Sequence, residues 1–545
     1  MGRRFPARFW VSLTWAILGA FQFGYHLGVP NIPMVDLSEQ FDFSLSGGAS
    51  ILVGSMLVGA FLSALTAGSA VERYGIRGAL ALFNLPVFAS TLVSGLIPRS
   101  AGFWALCALR FGVGLGVGPF VGISPQYLAE VSPAQLRGRI GVLNAVGVAS
   151  GILTSYVLGV PYGVGASRVG GVAWWRVMFS GAAAFSAVMW GLTLVAPESP
   201  TWLRDHGRAE EADAAISKLY GLPPPKPGAR YSDVESALGS VAEDEDGDGE
   251  DVRGAAEKGG RKGGSGDAGS GETADVGGVR FGSETVAPAA VEATVEAAGG
   301  KKGAEREDEE EAAVSPWEAM MRPGYRKATL LAMGAPSLLQ LSGVNTVIIF
   351  SSAVFADAGL DNAVVGAVIV GAANLIGAAP AFFLIERSGR RSLIFAGHLV
   401  MGTCLALVSV FYFSGMDATV RGWLTVACFV VYMVFFNIGP GSTAFVYAPE
   451  ILPDEIRSQG MTLANAAHWL LNIAVGTSWP FLSDWIGVGA AFLIYVALNA
   501  CGVCYAQFLM VETIKRTFRQ ISARVGIKQS LTIRRNVSSA VRARR

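Results

Sequence analysis

The chain has 545 residues, 52% of them apolar and only 15% charged, with 69 glycines. That balance is too apolar for an ordinary soluble protein of this length, and it places the chain in a bilayer. The 42 basic and 42 acidic residues cancel to zero net charge, but the cancellation hides a segregated pattern and says nothing about the neutrality of any one surface.

Crossing ~30 Å of hydrocarbon takes ~20 apolar residues as a helix. Such segments fall at roughly 10–29, 49–70, 79–97, 102–124, 140–160 and 177–195, and again at roughly 328–349, 363–385, 393–413, 422–446, 460–480 and 488–510. The expected fold is therefore an all-α membrane protein with twelve spans in two pseudo-symmetric bundles. The expected divisions are 1–196 for the first bundle, 197–327 between the bundles, 328–510 for the second bundle and 511–545 for a tail.

Arg3, Arg4 and Arg8 precede the first span, and alternate loops carry Arg73, Arg77, Arg137, Arg139, Arg204, Arg208, Arg326, Lys327, Arg387, Arg390, Arg391 and Arg457. The opposite loops hold only Arg99, Arg168, Arg176 and Arg421, so the bias of basic residues predicts cytosolic termini. No small-residue cleavage site follows the first span, which is read as retained. Along the fourth span Gly112, Gly114, Gly116 and Gly118 make two interleaved GxxxG pairs. With no strand before them they predict close helix packing rather than a phosphate loop.

The charged motifs occur twice. Tyr127, Glu130, Val131, Pro133, Leu136 and Arg137 recur as Tyr447, Glu450, Ile451, Pro453, Ile456 and Arg457. Likewise Glu72, Arg73, Gly75 and Arg77 return as Glu386, Arg387, Gly389 and Arg391, and Glu198-Ser199 returns as Glu512-Thr513. Repetition in the same order marks two homologous halves. Glu72, Arg73, Arg77, Glu130, Arg137, Arg139 and Glu198, with Glu386, Arg387, Arg390, Arg391, Glu450, Arg457 and Glu512, are the candidate gating residues. Exposed pairs of this kind are worth ~0–1 kcal/mol each, which suits a latch that opens and closes in every cycle.

Between the halves, Glu210–Tyr220 and Ser315–Met321 have helical character, whereas 239–313 is rich in Gly, Ala, Glu and Asp and includes the acidic run Glu243–Asp246. Such a segment cannot bury enough apolar surface to fold and reads as a disordered spacer or regulatory loop. Polar groups inside the spans are costly and face a bundle interior or a water-filled cavity. They include Gln22, His26 and Asn31, then Arg110 and Asn144, and in the second half Gln340, Asn345, Asn374, Asn437, His468 and Asn472. Amides and imidazoles hydrogen-bond hydroxyls, and Trp469 and Phe445 offer flat faces to a ring, so the set predicts a polyol or sugar site near the midplane. Cys107, Cys404, Cys428, Cys501 and Cys504 all lie in apolar spans and read as small buried hydrophobes, with no disulfide or metal site. The tail carries Arg519, Arg524, Lys528, Arg534, Arg535, Arg542, Arg544 and Arg545. Beside a membrane these charges predict contact with anionic lipid at ~1 kcal/mol each, not with nucleic acid.

Taken together, Gln22-Phe23-Gly24-Tyr25, Tyr127 to Gly138, Pro197-Glu198-Ser199-Pro200, Gln340 to Asn345, Glu386 to Arg391, Gly439-Pro440-Gly441 and Glu450 to Arg457 resemble the sugar porter branch of the major facilitator superfamily. The first span and His468-Trp469 are similar to facilitative hexose transporters of the animal type and their fungal relatives. The resemblance implies alternating access, a monosaccharide held mainly by the C-terminal half, no cofactor, no metal and a single chain as the working unit. It assigns Gln340, Asn345 and Asn374 to the sugar, with His468, Trp469, Phe445, Asn437, Asn144 and His26 as further candidates. The chain departs from the family at Ala145, Leu339, Phe445 and Asn437, and Ile76 stands where the first loop motif has an arginine. Proton-driven relatives carry a first-span aspartate facing the fourth-span arginine, whereas here the place is His26 opposite Arg110. The expectation is therefore facilitated diffusion of a hexose across the surface membrane, or an internal one. The alternatives are proton symport and a non-transporting sugar sensor.

Overall fold

The computed structural model describes residues 5–133, 136–221, 316–385, 387–453, 455–514 and 516–527, without the side chains of Arg99, Arg137, Arg139, Pro316 and Phe382. The first half contains α1 (Ala7–Gly28), α2 (Gly47–Ala64), α3 (Ala67–Leu96), α4 (Gly102–Glu130), α5 (Arg137–Leu158) and α6 (Trp174–Thr193). In the second half, α7 runs as Pro323–Leu341 and then Val344–Asp357, followed by α8 (Ala363–Leu384) and α9 (Arg390–Phe413). α10 is Ala418–Phe436, a π turn at Asn437–Gly441 and Ser442–Ile451; α11 is Arg457–Ile486, and α12 is Val488–Cys504. Among the described residues, α2–α5, α7–α10 and α12 give nine segments long and apolar enough to cross a membrane. The remaining helices α1, α6 and α11 complete the twelve.

Several boundaries differ from the hydropathy reading. The predicted gap between 70 and 79 is instead one helical run whose direction changes at Gly75, at φ 77° and ψ 171°. A side chain is strained in that left-handed region, so glycine sits where the chain must turn. The seventh span is broken at Ser342-Gly343, with Gly343 at φ 91°, and extends to Asp357. The tenth span runs on to Ile451 through the distortion at Gly439-Pro440. Hydropathy measures the hydrocarbon length, whereas backbone hydrogen bonds carry a helix past it and proline interrupts them.

The glycines of α4 work in two directions. A Cβ on Gly114 would stand 2.1 Å from the Met56 carbonyl oxygen and one on Gly118 2.2 Å from that of Ala60, both on α2. One on Gly112 would meet Ser90 Oγ at 2.2 Å and one on Gly116 the Phe83 carbonyl at 2.5 Å, both on α3. The interleaved pairs thus let α4 lie against two neighbours at backbone contact. Gly114→Ala is expected to cost about 1–3 kcal/mol by overpacking, seen as a lower unfolding temperature of the purified protein in detergent.

Short helices Pro200–Asp205 and Ala209–Tyr220 follow the first half and Pro316–Met321 precedes the second, at the end of the bundle that bears the termini, and the last two coincide with the helical stretches expected there. Helix Met34–Phe41 and a two-stranded hairpin, Arg168–Val169 with Val172–Ala173, lie at the far end. The halves touch along α2 with α11 and α5 with α8. Cys107, Cys404 and Cys428 are buried, but Cys501 and Cys504 are exposed on the outer face of α12, which corrects the expectation of five buried thiols. Their apolar surroundings belong to the face that meets lipid rather than to the core. The 239–313 insertion and the tail beyond Ile527 lie outside the described residues.

Candidate functional site

The break in α7 places two amides on either side of a single turn. Asn345 Nδ2 donates to Gln340 Oε1 at 2.7 Å and to Asn472 Oδ1 of α11 at 2.7 Å. Gln340 Nε2 lies 3.0 Å from His468 Nε2, and His468 Nδ1 lies 3.3 Å from the Pro336 carbonyl. A carbonyl can only accept, so Nδ1 carries the proton and Nε2 accepts from Gln340. The Phe445 ring centroid is 5.0 Å from that of His468, and Trp469, fully buried, meets Phe23 of α1 edge-on at 5.9 Å. Gln340, Asn345, His468, Trp469 and Phe445 are therefore brought together, as expected. Two further members were not assigned from the sequence: Asn472 was noted only as an intramembrane polar residue, and Phe23 only as part of a motif.

Asn472 Nδ2 and Trp469 Nε1 are buried without a partner among the described residues. An unmet donor in an apolar interior costs of order 1–3 kcal/mol, so this cluster has donors to offer a hydroxylated ligand. Asn374 and Asn437 pair with each other across α8 and α10, with Asn437 Nδ2 2.7 Å from Asn374 Oδ1. Among the described residues, Asn144 on α5 presents a buried Oδ1 with no partner. His26 has other company: Arg110 Nη2 donates to the His26 backbone carbonyl at 2.9 Å and to Met56 Sδ at 3.1 Å, and the guanidinium lies over Phe179. Arg110 is itself buried, and its Nε and Nη1 have no partner among the described residues.

At the far end the halves are tied by neutral groups. Asn31, just beyond α1, donates to the Ile348 carbonyl at 2.7 Å and Ser351 Oγ at 2.8 Å, and its Oδ1 accepts from the Ser352 amide at 3.0 Å. Tyr156 of α5 donates to the same Ile348 carbonyl, and Asn362 Nδ2 donates to the Gly163 carbonyl at 3.0 Å.

At the termini-bearing end the duplicated motifs fold into duplicated networks, each within its own half. Glu198 accepts from the Arg77 amide at 3.1 Å and from the Ser199 amide at 2.9 Å, while Ser199 Oγ bonds Glu130. Correspondingly, Glu512 accepts from the amides of Arg390 at 2.9 Å, Arg391 at 3.1 Å and Thr513 at 3.0 Å, while Thr513 Oγ1 bonds Glu450 at 2.5 Å. Both carboxylates sit where the chain restarts as a helix after Gly75 or Gly389, so they answer amides that a helix start leaves unpaired. Burial holds the Glu198 carboxyl above its ordinary range, with the amides of Ser199 and Arg77 pulling the other way.

The clearest difference between the networks is an ion pair. Arg390 pairs with Glu450 at 2.9 Å, but the equivalent of Arg390 in the first half is buried Ile76, and Glu130 takes a bond from Gln126 at 2.8 Å instead. Arg73 lies over the Tyr74 ring, and the Arg391 guanidinium donates to the carbonyls of Ala506 and Gln507. Arg457 donates to the Leu452 carbonyl at 3.3 Å, while Glu72 and Arg387 are exposed. Glu386 and the side chains of Arg137 and Arg139 lie outside the described residues.

The family described as "Sugar (and other) transporter" matches residues 11–232 and 284–524. The chain is 25% identical to the probable plastidic glucose transporter 1 of Arabidopsis thaliana over 545 aligned residues, covering 97% of this chain and 87% of that protein. It is also 25% identical to the facilitated glucose transporter member 3 of solute carrier family 2 from Mus musculus, covering 94% and 91% respectively. Among solved structures, the inward-open xylose transporter XylE from E. coli superposes with a TM-score of 0.68 at 20% identity, over 95% of this chain and 99% of that one. The proton:xylose symporter XylE bound to 6-bromo-6-deoxy-D-glucose gives 0.66 at 20% identity, with the same coverage. At that identity the structures speak for the fold.

Proposed function

Since the chain belongs to the sugar transporter family of the major facilitator superfamily, we propose that it carries a hexose or related monosaccharide down its gradient by alternating access. The observation that carries this reading is the amide cluster at the α7 break. Gln340 and Asn345 flank the break, Asn472 and His468 complete the polar wall, and Trp469 reaches Phe23 of the other half. Two of its buried donors have no partner among the described residues, which is what a site for hydroxyls offers. Phe445 stands against His468 on this wall, and Asn374, Asn437, Asn144 and His26 are further candidates to meet the sugar.

Uniport is favoured by the surroundings of Arg110. α1 contains no carboxylate, and what Arg110 meets on that helix is a backbone carbonyl. A proton-coupled cycle needs a group that changes charge against this cation, and a protonated His26 beside it would be repelled. The closed far end, with the described charge networks held inside each half, supports an inward-facing shape. The bias of basic residues supports a cytosolic basic end, with the tail's charges suited to anionic lipid, and a single chain as the working unit. The surface membrane is its address; the plastidic names of relatives favour an internal membrane as the second reading.

The test is uptake of a labelled sugar panel into liposomes, with and without a pH gradient. Equilibration of a hexose, unaffected by the gradient, is the expected result. Accumulation driven by the gradient would replace uniport with symport, and saturable binding without flux would replace transport with sensing.

A further inference from the structure

The break in α7 is held from outside the site. The Ser342 carbonyl accepts from Tyr432 Oη of α10 at 3.0 Å and from Asn499 Nδ2 of α12 at 3.0 Å. Asn499 Nδ2 also donates to the Tyr495 carbonyl at 2.8 Å, which uses both of its protons on acceptors. Its Oδ1 therefore has to accept, and the group facing it is His398 Nδ1 of α9, at 3.0 Å. Turning the amide over would set its oxygen against two carbonyls, so the chain of bonds has one consistent direction, with His398 protonated at Nδ1.

His398, Asn499 and Ser342 are all buried, and His398 Nε2 has no partner among the described residues. The ring lies flat on α12 because a Cβ on Gly502 would stand 2.5 Å from His398 Cγ. On the other side of the break, Tyr495 packs against Gly343 and its Oη accepts from Thr346 Oγ1 at 3.1 Å. Asn499 and Tyr495, one turn apart on α12, thus grip the residues on both sides of the turn.

We propose that His398 and Asn499 are positioning residues for the sugar site: by fixing the Ser342 carbonyl they set the angle between the two segments of α7, and so the spacing of Gln340 and Asn345. This rests on the transport reading for its effect on sugar, but its mechanical core does not. Polar residues of α9 and α12 are retained in an apolar layer at a cost, and here they act on the one point where α7 is discontinuous. Neither touches the proposed sugar-binding residues directly, so their influence passes through the backbone of the turn.

Two measurements on His398→Leu and Asn499→Leu, with His398→Asn as the conservative variant, decide it. Asparagine can place a donor where Nδ1 stands, and leucine cannot. Hydrogen–deuterium exchange of the purified protein without sugar should be at least threefold faster at 342–357 in both leucine variants, unchanged across α1–α6, and restored in His398→Asn. In liposomes the leucine variants should raise KM three- to tenfold with the maximal rate within twofold, again restored by asparagine. Unchanged exchange at 342–357, or faster exchange throughout both halves, would overturn the proposal. Faster local exchange with an unaltered KM would overturn its link to the sugar site. If the wild-type protein carries no sugar, the transport reading fails while the exchange result still decides the hinge.

Discussion

Asn345→Ala is expected to reduce sugar flux about a hundredfold at subsaturating sugar while leaving the protein folded. The amide is the only group described that joins both sides of the α7 break to α11, through Gln340 Oε1 and Asn472 Oδ1. Its removal leaves two buried acceptors unpaired, each at roughly 1–3 kcal/mol, and a shift of about 2.7 kcal/mol is a hundredfold. Without that amide Gln340 keeps its bond to His468 but loses the tie that fixes its orientation across the break, which misplaces the donors a sugar would meet. Initial uptake rates in liposomes, compared with the elution profile and unfolding temperature of the same preparation, check both halves of the statement. Uptake within threefold of wild type would show that the sugar is held elsewhere.

Glu512→Leu is expected to be the most damaging change at the termini-bearing end, with flux reduced more than tenfold. The carboxylate receives the amides of Arg390, Arg391, Thr513 and Ile514, at 2.9, 3.1, 3.0 and 3.2 Å. A hydrogen bond to a charged group contributes ~1.5–3 kcal/mol where it is buried, less at this partly open site. Leucine answers none of them, and the carboxylate it replaces lies so close to Gly389 that a Cβ there would stand 2.5 Å from Glu512 Oε2. Glu512→Gln keeps one acceptor oxygen and should fall between the two, as measured by flux and by unfolding temperature. A leucine variant as active as glutamine would mean that these amides find water at no loss. The first-half network lacks the Arg390–Glu450 ion pair, so Arg390→Leu should slow transport more than Ile76→Leu.

The duplication was legible at the level of single bonds. Residues that echo each other in the sequence make equivalent contacts: Glu198 and Glu512 on helix-start amides, Ser199 and Thr513 on Glu130 and Glu450. Even the departure at Ile76 reappears as the missing ion pair. His398 and Asn499 went unremarked because each is a lone polar residue in a strongly apolar helix, with no partner at helical spacing to mark a motif. Asn472 was visible as a polar residue, but its role depends on which face of α11 meets α7. The outward placement of Cys501 and Cys504 was equally hidden, since in a membrane the apolar exterior and the apolar core have the same composition.

A two-fold repeated membrane bundle with basic motifs at one end can be read from the chain alone, because hydropathy, charge bias and repetition are written along it. Which polar groups share a wall, where α7 breaks and what holds the break emerge from the packing of the helices. Those depend on the rotation of each helix about its axis, which is fixed by contacts between segments far apart in the chain, such as Ser342 with Asn499 and Asn31 with Ser352.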